Sequence, residues 1–284
     1  MKNILNTGAG GFIGRELIRT FSGTDDVKIF LSDRYPAAAK IEDAYSYIQS
    51  DLSKIEQAED LISRTKPCHI YHLAGSTDDN FDSNLAGNVV ITRNMLEVIS
   101  RSDSHDRILL MGSVAEYGGV RPDENPIQET QALKPVTSYG LTKMYQTKLM
   151  DFYVRTRGLD GIMARTFNLN GADASPCTFA GIVRGQIESY KSGAIKTITI
   201  DHPDLIRDYL EIADAARCYR LIMEHGRKGE IYHVGSGQPV KLRDFVRSLL
   251  ERDGIPATVL RESASSDRTE GAISVIYADV SKLN

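Results

Sequence analysis

Through residues 1–166, short apolar runs alternate with longer stretches of helical spacing, and that rhythm admits few folds beyond an open parallel sheet. The apolar runs are Ile4–Leu5, Val27–Leu31, 45–50, 68–74, 107–112 and 159–166. Between them lie helical patterns at 12–21, 54–64, 84–100 and 138–157. A loop rich in Pro, Asp, Glu and Asn covers 118–137. Beyond 166 the texture changes: a polar loop precedes a helix at 178–191, a β-branched run at 197–200 and a helix at 211–225. A strand at 230–234, a helix at 241–252 and a last helical start near 279 complete the reading. No internal repeat or low-complexity tract interrupts it. Two domains are expected, residues 1–166 and a smaller 167–284, with some elements interleaved.

Composition enters by exclusion. The 284 residues carry a formal net charge of −4, which offers no basic footprint for nucleic acid and no polybasic membrane signal. No apolar run reaches the ~18 residues of a membrane span, and glycines break the N-terminal apolar start at once, unlike a signal peptide. Cys68, Cys177 and Cys218 are far apart without CxxC spacing, so they are expected to be buried small side chains. The six histidines (69, 72, 105, 202, 225 and 233) show no metal spacing. A soluble, cytoplasmic protein without a structural metal is expected.

Residues 7–14 read TGAGGFIG, with Gly8, Gly11 and Gly14 between a strand and a helix. Such glycines serve a tight turn, backbone approach to a pyrophosphate, and close packing of helix on sheet. Asp33 ends the second run, where a carboxylate accepts hydrogen bonds from adenosine ribose hydroxyls. Arg34 beside it suits a 2′-phosphate, so NAD and NADP both stay open. Asp51 suits an adenine amino group or a plain surface turn. Tyr139 and Lys143 lie four apart on one face of a helix. A phenol titrates near ~10, and a neighbouring ammonium is expected to lower that value toward useful acid–base chemistry. Ser113, at the carboxyl end of the strand RILLMG, is placed to hydrogen-bond a substrate oxygen while Tyr139 exchanges its proton. The glycine loop, Asp33 and the HLAG segment at 72–75 sit at strand ends of the same kind. Glu116 and Tyr117 reach toward the site, with Tyr117 read as structural. His233 is read as a packing residue, and Glu97, Glu124 and Glu129 as solvated charges.

In this order, TGAGGFIG, Asp33, Asp51-Leu52, HLAG, Asn88, SVAEYG, Tyr139-x-x-x-Lys143, RTFN (165–168), Arg207-Asp208-Tyr209 and HVGSG (233–237) resemble the extended short-chain dehydrogenase/reductases. The resemblance is to the nucleotide-sugar epimerase, dehydratase and ketoreductase group, and it spans nearly the whole chain. It implies an α/β, Rossmann-type doubly wound parallel sheet holding NAD or NADP. A small α/β C-terminal domain would close over a nucleoside-diphosphate sugar. It implies Ser113, Tyr139 and Lys143 as the catalytic triad. Gly8, Gly11, Phe12, Ile13, Gly14, Asp33, Arg34, Asp51, Leu52, Leu73, Ala74 and Gly75 would bind the cofactor, together with Tyr139 and Lys143. Asn168, Arg207 and Arg268 would contact the substrate nucleotide and its diphosphate. It further implies a homodimer paired through helices 84–100 and 138–157.

The departures narrow the chemistry. Sugar 4,6-dehydratases carry an Asp-Glu pair directly after the catalytic hydroxyl residue, where this chain has Val114-Ala115. The 3,5-epimerase/4-reductases use a cysteine and a histidine where this chain has Ala115 and the His-free NGADASP. Oxidation and reduction at C4 alone survive. The texture is closest to the GDP-4-keto-6-deoxy-mannose reductases, so C4-ketone reduction is expected, with a 4-epimerase as the alternative. A dinucleotide-sensing binding protein is a further reading, which the intact Tyr139–Lys143 pair disfavours.

Overall fold

The computed structural model describes residues 1–24, 26–36, 45–78, 80–102, 106–263 and 273–283. In chain order the first part contains β1 (Lys2–Thr7), α1 (Phe12–Arg19), β2 (Val27–Asp33), β3 (Ser46–Gln49), α2 (Ile55–Thr65) and β4 (His69–His72). A helical segment follows, made of α3 (Phe81–Asn84), a π-helical stretch (Leu85–Val90) and α4 (Ile91–Ser100). Then come β5 (Arg107–Ser113), α5 (Ser138–Arg157) and β6 (Asp160–Thr166). The single helix expected over 84–100 therefore starts earlier and is interrupted by a wider turn.

Six of these strands and β10 (Ile231–Val234) form one seven-stranded parallel sheet, ordered β3-β2-β1-β4-β5-β6-β10. The order reverses between β1 and β4, the arrangement of a Rossmann-type fold, and ligands of such sheets sit beyond the strand ends at that reversal. The central strands carry apolar middles, as in Ile108–Met111 of β5, because both faces are covered. On one face Leu61, Met95, Leu96, Ile99 and Met150 from α2, α4 and α5 pack on Ile70, Ile108 and Leu110. On the other, Leu17 of α1 and Tyr219, Ile222 and Met223 of α7 (Ile212–His225) pack on Ile4, Leu109 and Ile162. Each such side chain, fully buried, contributes roughly 1.5–3 kcal/mol of transfer free energy.

The remaining elements build a smaller layer. β7 (Asn168–Asn170), β9 (Ile206–Glu211) and β11 (Pro239–Lys241) form a three-stranded sheet, and β8 (Ile198–Asp201) pairs with β12 (Leu260–Ser263). Between them α6 (Phe179–Lys191) and α8 (Leu242–Arg252) bury Val183, Ile187, Phe245, Val246 and Leu249 against Ile198 and Ile200. After residue 166 the chain alternates between layers, since α7 and β10 return to the main sheet. The helical start expected near 279 is only a turn at 281–283. Of the cysteines, Cys177 is exposed and the other two are half-buried, against the expectation of burial. No helix among the described residues is long and apolar enough to cross a membrane.

Candidate active site

β1 delivers the chain to Gly8 at φ +73, a left-handed conformation that favours glycine. Space demands it too, since a Cβ there would lie 2.5 Å from the Ala74 nitrogen. Gly11 is the N-cap of α1 and offers no side-chain cap, and no acidic residue fills the first turn. The amides of that turn have no intrahelical acceptor, so the positive end of the helix dipole is free to take an anion. Gly14 lets the helix sit tight: a Cβ there would be 2.4 Å from the Gly8 carbonyl oxygen.

A cavity of about 880 Å³ opens at this loop. Gly8, Gly11, Asp33, Arg34, Asp51, Leu52, Leu73, Ala74 and Gly75 all line it, as the sequence led us to expect. Phe12, Ile13 and Gly14 do not line it. The Phe12 ring turns toward Gly171, where a Cβ would lie 2.9 Å from it, and Ile13 packs against the α1 face of the sheet. The chain therefore presents only the backbone amides of this first turn to a ligand. Asp33 is fixed at the rim, its Oδ2 accepting from the Gly10 N–H at 3.0 Å. Arg34 Nε stands 4.0 Å from Asp51 Oδ1. The Ser53 hydroxyl, donating to Asp51 at 2.7 Å, holds that carboxyl below its ordinary range, with Arg34 adding to the effect.

Sequence reasoning missed other residues of the wall, among them Arg15, Ser32, Ser76, Asp78 and Gly87. Ser32 Oγ is buried and has no hydrogen-bond partner among the described residues. Asn88 sits in the π-helical stretch; its Oδ1 accepts from the Ser76 N–H at 2.9 Å, while its Nδ2 donates to the Ser76 carbonyl and to Thr142 Oγ1. One wide turn thus ties the wall after β4 to α5.

On α5 the buried face carries Gly140, Thr142, Lys143, Gln146 and Thr147 before it turns apolar at Met150 and Tyr153. Thr137 caps the helix, its Oγ1 accepting from the Gly140 N–H at 3.0 Å, and Gly158 ends it at φ +68. Lys143 Nζ donates to the Met111 carbonyl at 2.9 Å and to Gln146 Oε1 at 3.0 Å. It adjoins the cavity, because a Cβ on Gly75 would lie 3.5 Å from it. Tyr139 shares a side-chain hydrogen bond with Ser113, and Lys143 Nζ is 5.9 Å from its ring centroid. The structure thus brings Ser113, Tyr139 and Lys143 together at the carboxyl ends of β4 and β5.

Burial lowers Lys143 to about 8, against the opposing charge of Glu116. Burial also raises the Tyr139 phenol, with the Ser113 bond acting the other way. The expected lowering of the phenol by the lysine is not found: desolvation sets the direction, and the bond from Ser113 is what opposes it. Burial, together with the Lys143 charge, pushes His72 down to about 3, so it stays neutral, with Nδ1 2.8 Å from Thr7 Oγ1.

Asn168 lies just beyond β6, which pairs with β5 through Ser113 and Thr166, and donates to the Asp208 carbonyl at 2.9 Å. Arg207 donates to the Ile273 carbonyl at 2.9 Å, and burial lowers its pKa. Neither lines the cavity at the glycine loop. Arg268 lies outside the described residues. Asp208, not singled out as a site residue, is buried and accepts from Ser236 N and Oγ, Gly237 N and Ala278 N. Glu129 and Glu97 are not solvated charges: Glu129 accepts from the His233 N–H, and Glu97 accepts from the Tyr153 hydroxyl at 2.7 Å. Glu124 is held by Arg121 and Gln131. His233 and Tyr117 are buried as expected and bonded to each other. No cluster of metal-ligating side chains occurs among the described residues.

The chain belongs to the NAD dependent epimerase/dehydratase family, whose model matches residues 4–235. Among curated relatives, it is 25% identical to the dTDP-6-deoxy-L-talose 4-dehydrogenase (NAD(P)(+)) of Kitasatospora kifunensis, over 92% of this chain and 82% of that one. It is also 25% identical to the GDP-6-deoxy-D-mannose reductase of Pseudomonas aeruginosa, over 93% of this chain and 84% of that one. The Thermus thermophilus UDP-glucose 4-epimerase solved with NAD shares the fold, with a TM-score of 0.85, 21% identity and coverage of 100% and 92%.

Proposed function

We propose that this chain reduces the C4 ketone of a nucleoside-diphosphate 4-keto-6-deoxy sugar, using NADH or NADPH. One observation carries the reading. The cavity at the glycine loop reaches Gly75, where a Cβ would lie 3.5 Å from Lys143 Nζ; behind that wall Lys143 stands beside Tyr139 and Ser113, while the positions after Ser113 are the inert Val114 and Ala115. The chain can exchange a proton at one oxygen and has no acid–base pair there for eliminating water.

The wall fits a dinucleotide. A cradle that a Cβ at Gly8 would fill, an uncapped helix N-terminus, the carboxylate of Asp33 and the unpartnered Ser32 hydroxyl are what a pyrophosphate and a ribose require. Gly8, Gly11 and the first-turn amides would hold the pyrophosphate, and Asp33 the adenosine ribose. Leu73, Ala74 and Gly75 would flank the nicotinamide half. Bound there, the reduced nicotinamide supplies the hydride for C4. Tyr139 donates its phenolic proton to the C4 oxygen, which Ser113 holds by its hydroxyl. Lys143 keeps positive charge under the ring as the phenolate forms, an electrostatic contribution strongest in a dry site. Asn168, Arg207 and Arg268 are assigned to the nucleotide and its diphosphate.

We also assign residues 1–166 to cofactor binding and 167–284 to substrate binding, with α7 and β10 serving the first. Phe81, Val136, Tyr145 and Phe152 are exposed apolar side chains at or near the outer surface of α3–α4 and α5. They support pairing of two copies through these helices. Incubation with NADH or NADPH and a GDP- or dTDP-linked 4-keto-6-deoxyhexose tests the function. The expected product is heavier by one hydride and one proton. An unchanged 4-keto substrate, with UDP-glucose and UDP-galactose interconverting instead, replaces reduction by 4-epimerisation.

A further inference from the structure

We propose that Glu116 is a positioning residue, its buried carboxylate fixing Ser113 against the helix that carries Tyr139 and Lys143. The proposal rests on the assignment of those three as the reacting groups. Glu116 is fully buried, and groups from three elements converge on its two oxygens. Oε1 accepts from the Ser113 N–H at 2.8 Å, at the end of β5. Oε2 accepts from Thr147 Oγ1 at 2.7 Å, one turn past Lys143 on α5, and from Arg165 Nη2 at 2.9 Å on β6. The strand makes room for this carboxylate: a Cβ on Gly112 would lie 2.7 Å from Oε1. Arg165 is fully buried as well, and its other terminal nitrogen donates to the Tyr117 hydroxyl at 2.8 Å.

Stability alone does not call for such a group, because well-packed apolar residues commonly replace a buried ion pair without loss. Charge-assisted bonds to three rigid elements do fix geometry. The same turn sets the Ser113 side chain. Its Oγ accepts from the Ala115 N–H at 3.2 Å in a reciprocal capping box, which holds the hydroxyl where it meets Tyr139. Thr147 then fixes the register of α5 against that box. The charge of Glu116 also reaches both reacting groups, favouring the protonated forms of Tyr139 and Lys143. The other groups facing the phenol are Ser113 from β5, Lys143 on its own helix and Tyr219 from α7.

The test uses the full chain with Thr147→Val, Thr147→Ser and Glu116→Gln. Displacement by a fraction of an ångström at the reacting groups is expected to lower kcat in T147V about tenfold. NADH affinity should stay within about twofold of wild type, and T147S should recover most of kcat. A second readout needs no substrate: the 13Cζ resonance of Tyr139, assigned by its loss in Tyr139→Phe. In E116Q it is expected to titrate at lower pH than in wild type. Unchanged kcat in T147V, a loss that T147S does not restore, or an unshifted Tyr139 titration in E116Q overturns the proposal. If E116Q does not fold, the Thr147 pair decides. A wild type without turnover sinks the reductase reading instead, and the Tyr139 titration then decides the role of Glu116 by itself.

Discussion

Replacing Gly8 by alanine perturbs the loop that is assigned to the pyrophosphate, and the size of the effect follows from the backbone. The new Cβ would lie 2.5 Å from the Ala74 nitrogen and 2.7 Å from its Cα, both backbone atoms, whereas ordinary contact starts at 3.4 Å. The loop or the segment after β4 must therefore move by roughly 1 Å, an overpacking strain of about 1–3 kcal/mol. The left-handed φ of +73 adds about 1–2 kcal/mol that the free protein bears as well. Only the displacement has to be reversed when a dinucleotide binds. The 1–3 kcal/mol share converts to an affinity about 5- to 150-fold weaker. Fluorescence titration of Gly8→Ala with NADH and with NADPH measures this, alongside a melting curve to show that the variant folds. A folded Gly8→Ala protein that binds both cofactors as tightly as wild type refutes the placement of the pyrophosphate.

Tyr139→Phe should fold and bind cofactor as wild type does yet lose about 10²–10⁴-fold in turnover, measured by steady-state kinetics. Near-normal rates would remove the phenol from the mechanism. Lys143 titrates at about 8, so its ammonium, and the turnover that uses it, should be lost as pH rises through that value. Stability runs the opposite way: the folded protein binds fewer protons than the unfolded chain between about 8 and the ordinary lysine value of ~10.4, so this lysine's contribution to stability rises across that window. Lys143→Met should erase the alkaline limb in turnover and flatten that rise in melting temperature. Phe152→Glu on the exposed face of α5 should shift a sedimentation profile toward monomer while leaving cofactor binding intact; an unchanged profile would contradict pairing through that helix.

The parallel sheet and its glycine loop were legible because each strand and helix announces itself locally. For α5 the expected span of 138–157 is the observed one, since Thr137 supplies an N-cap and Gly158 a left-handed stop. The π-helical turn was not legible. Its extra residue per turn depends on Asn88 reaching Ser76 and Thr142, contacts remote in sequence. The same reason hides Glu97 and Glu129, whose polarity suggests solvent until Tyr153 and His233 are found against them. Phe12 and Ile13 belong to the glycine motif, but helical geometry turns their side chains into packing and leaves only their amides for a ligand. β7, β9 and β11 are short and largely polar, so only the Asn168 and Asp208 bonds across them reveal the second layer's frame.

Hydride transfer to C4 is the central claim, and isotope tracing tests it most directly. NADH or NADPH deuterated at the transferable position is supplied with a 4-keto-6-deoxy sugar nucleotide, and the product is examined by NMR. One deuterium is expected, located at C4, together with stoichiometric loss of reduced cofactor, and Tyr139→Phe should incorporate it about 10²–10⁴-fold more slowly than wild type. A sugar product with no deuterium at C4, formed while added reduced cofactor is left unconsumed, would contradict that claim.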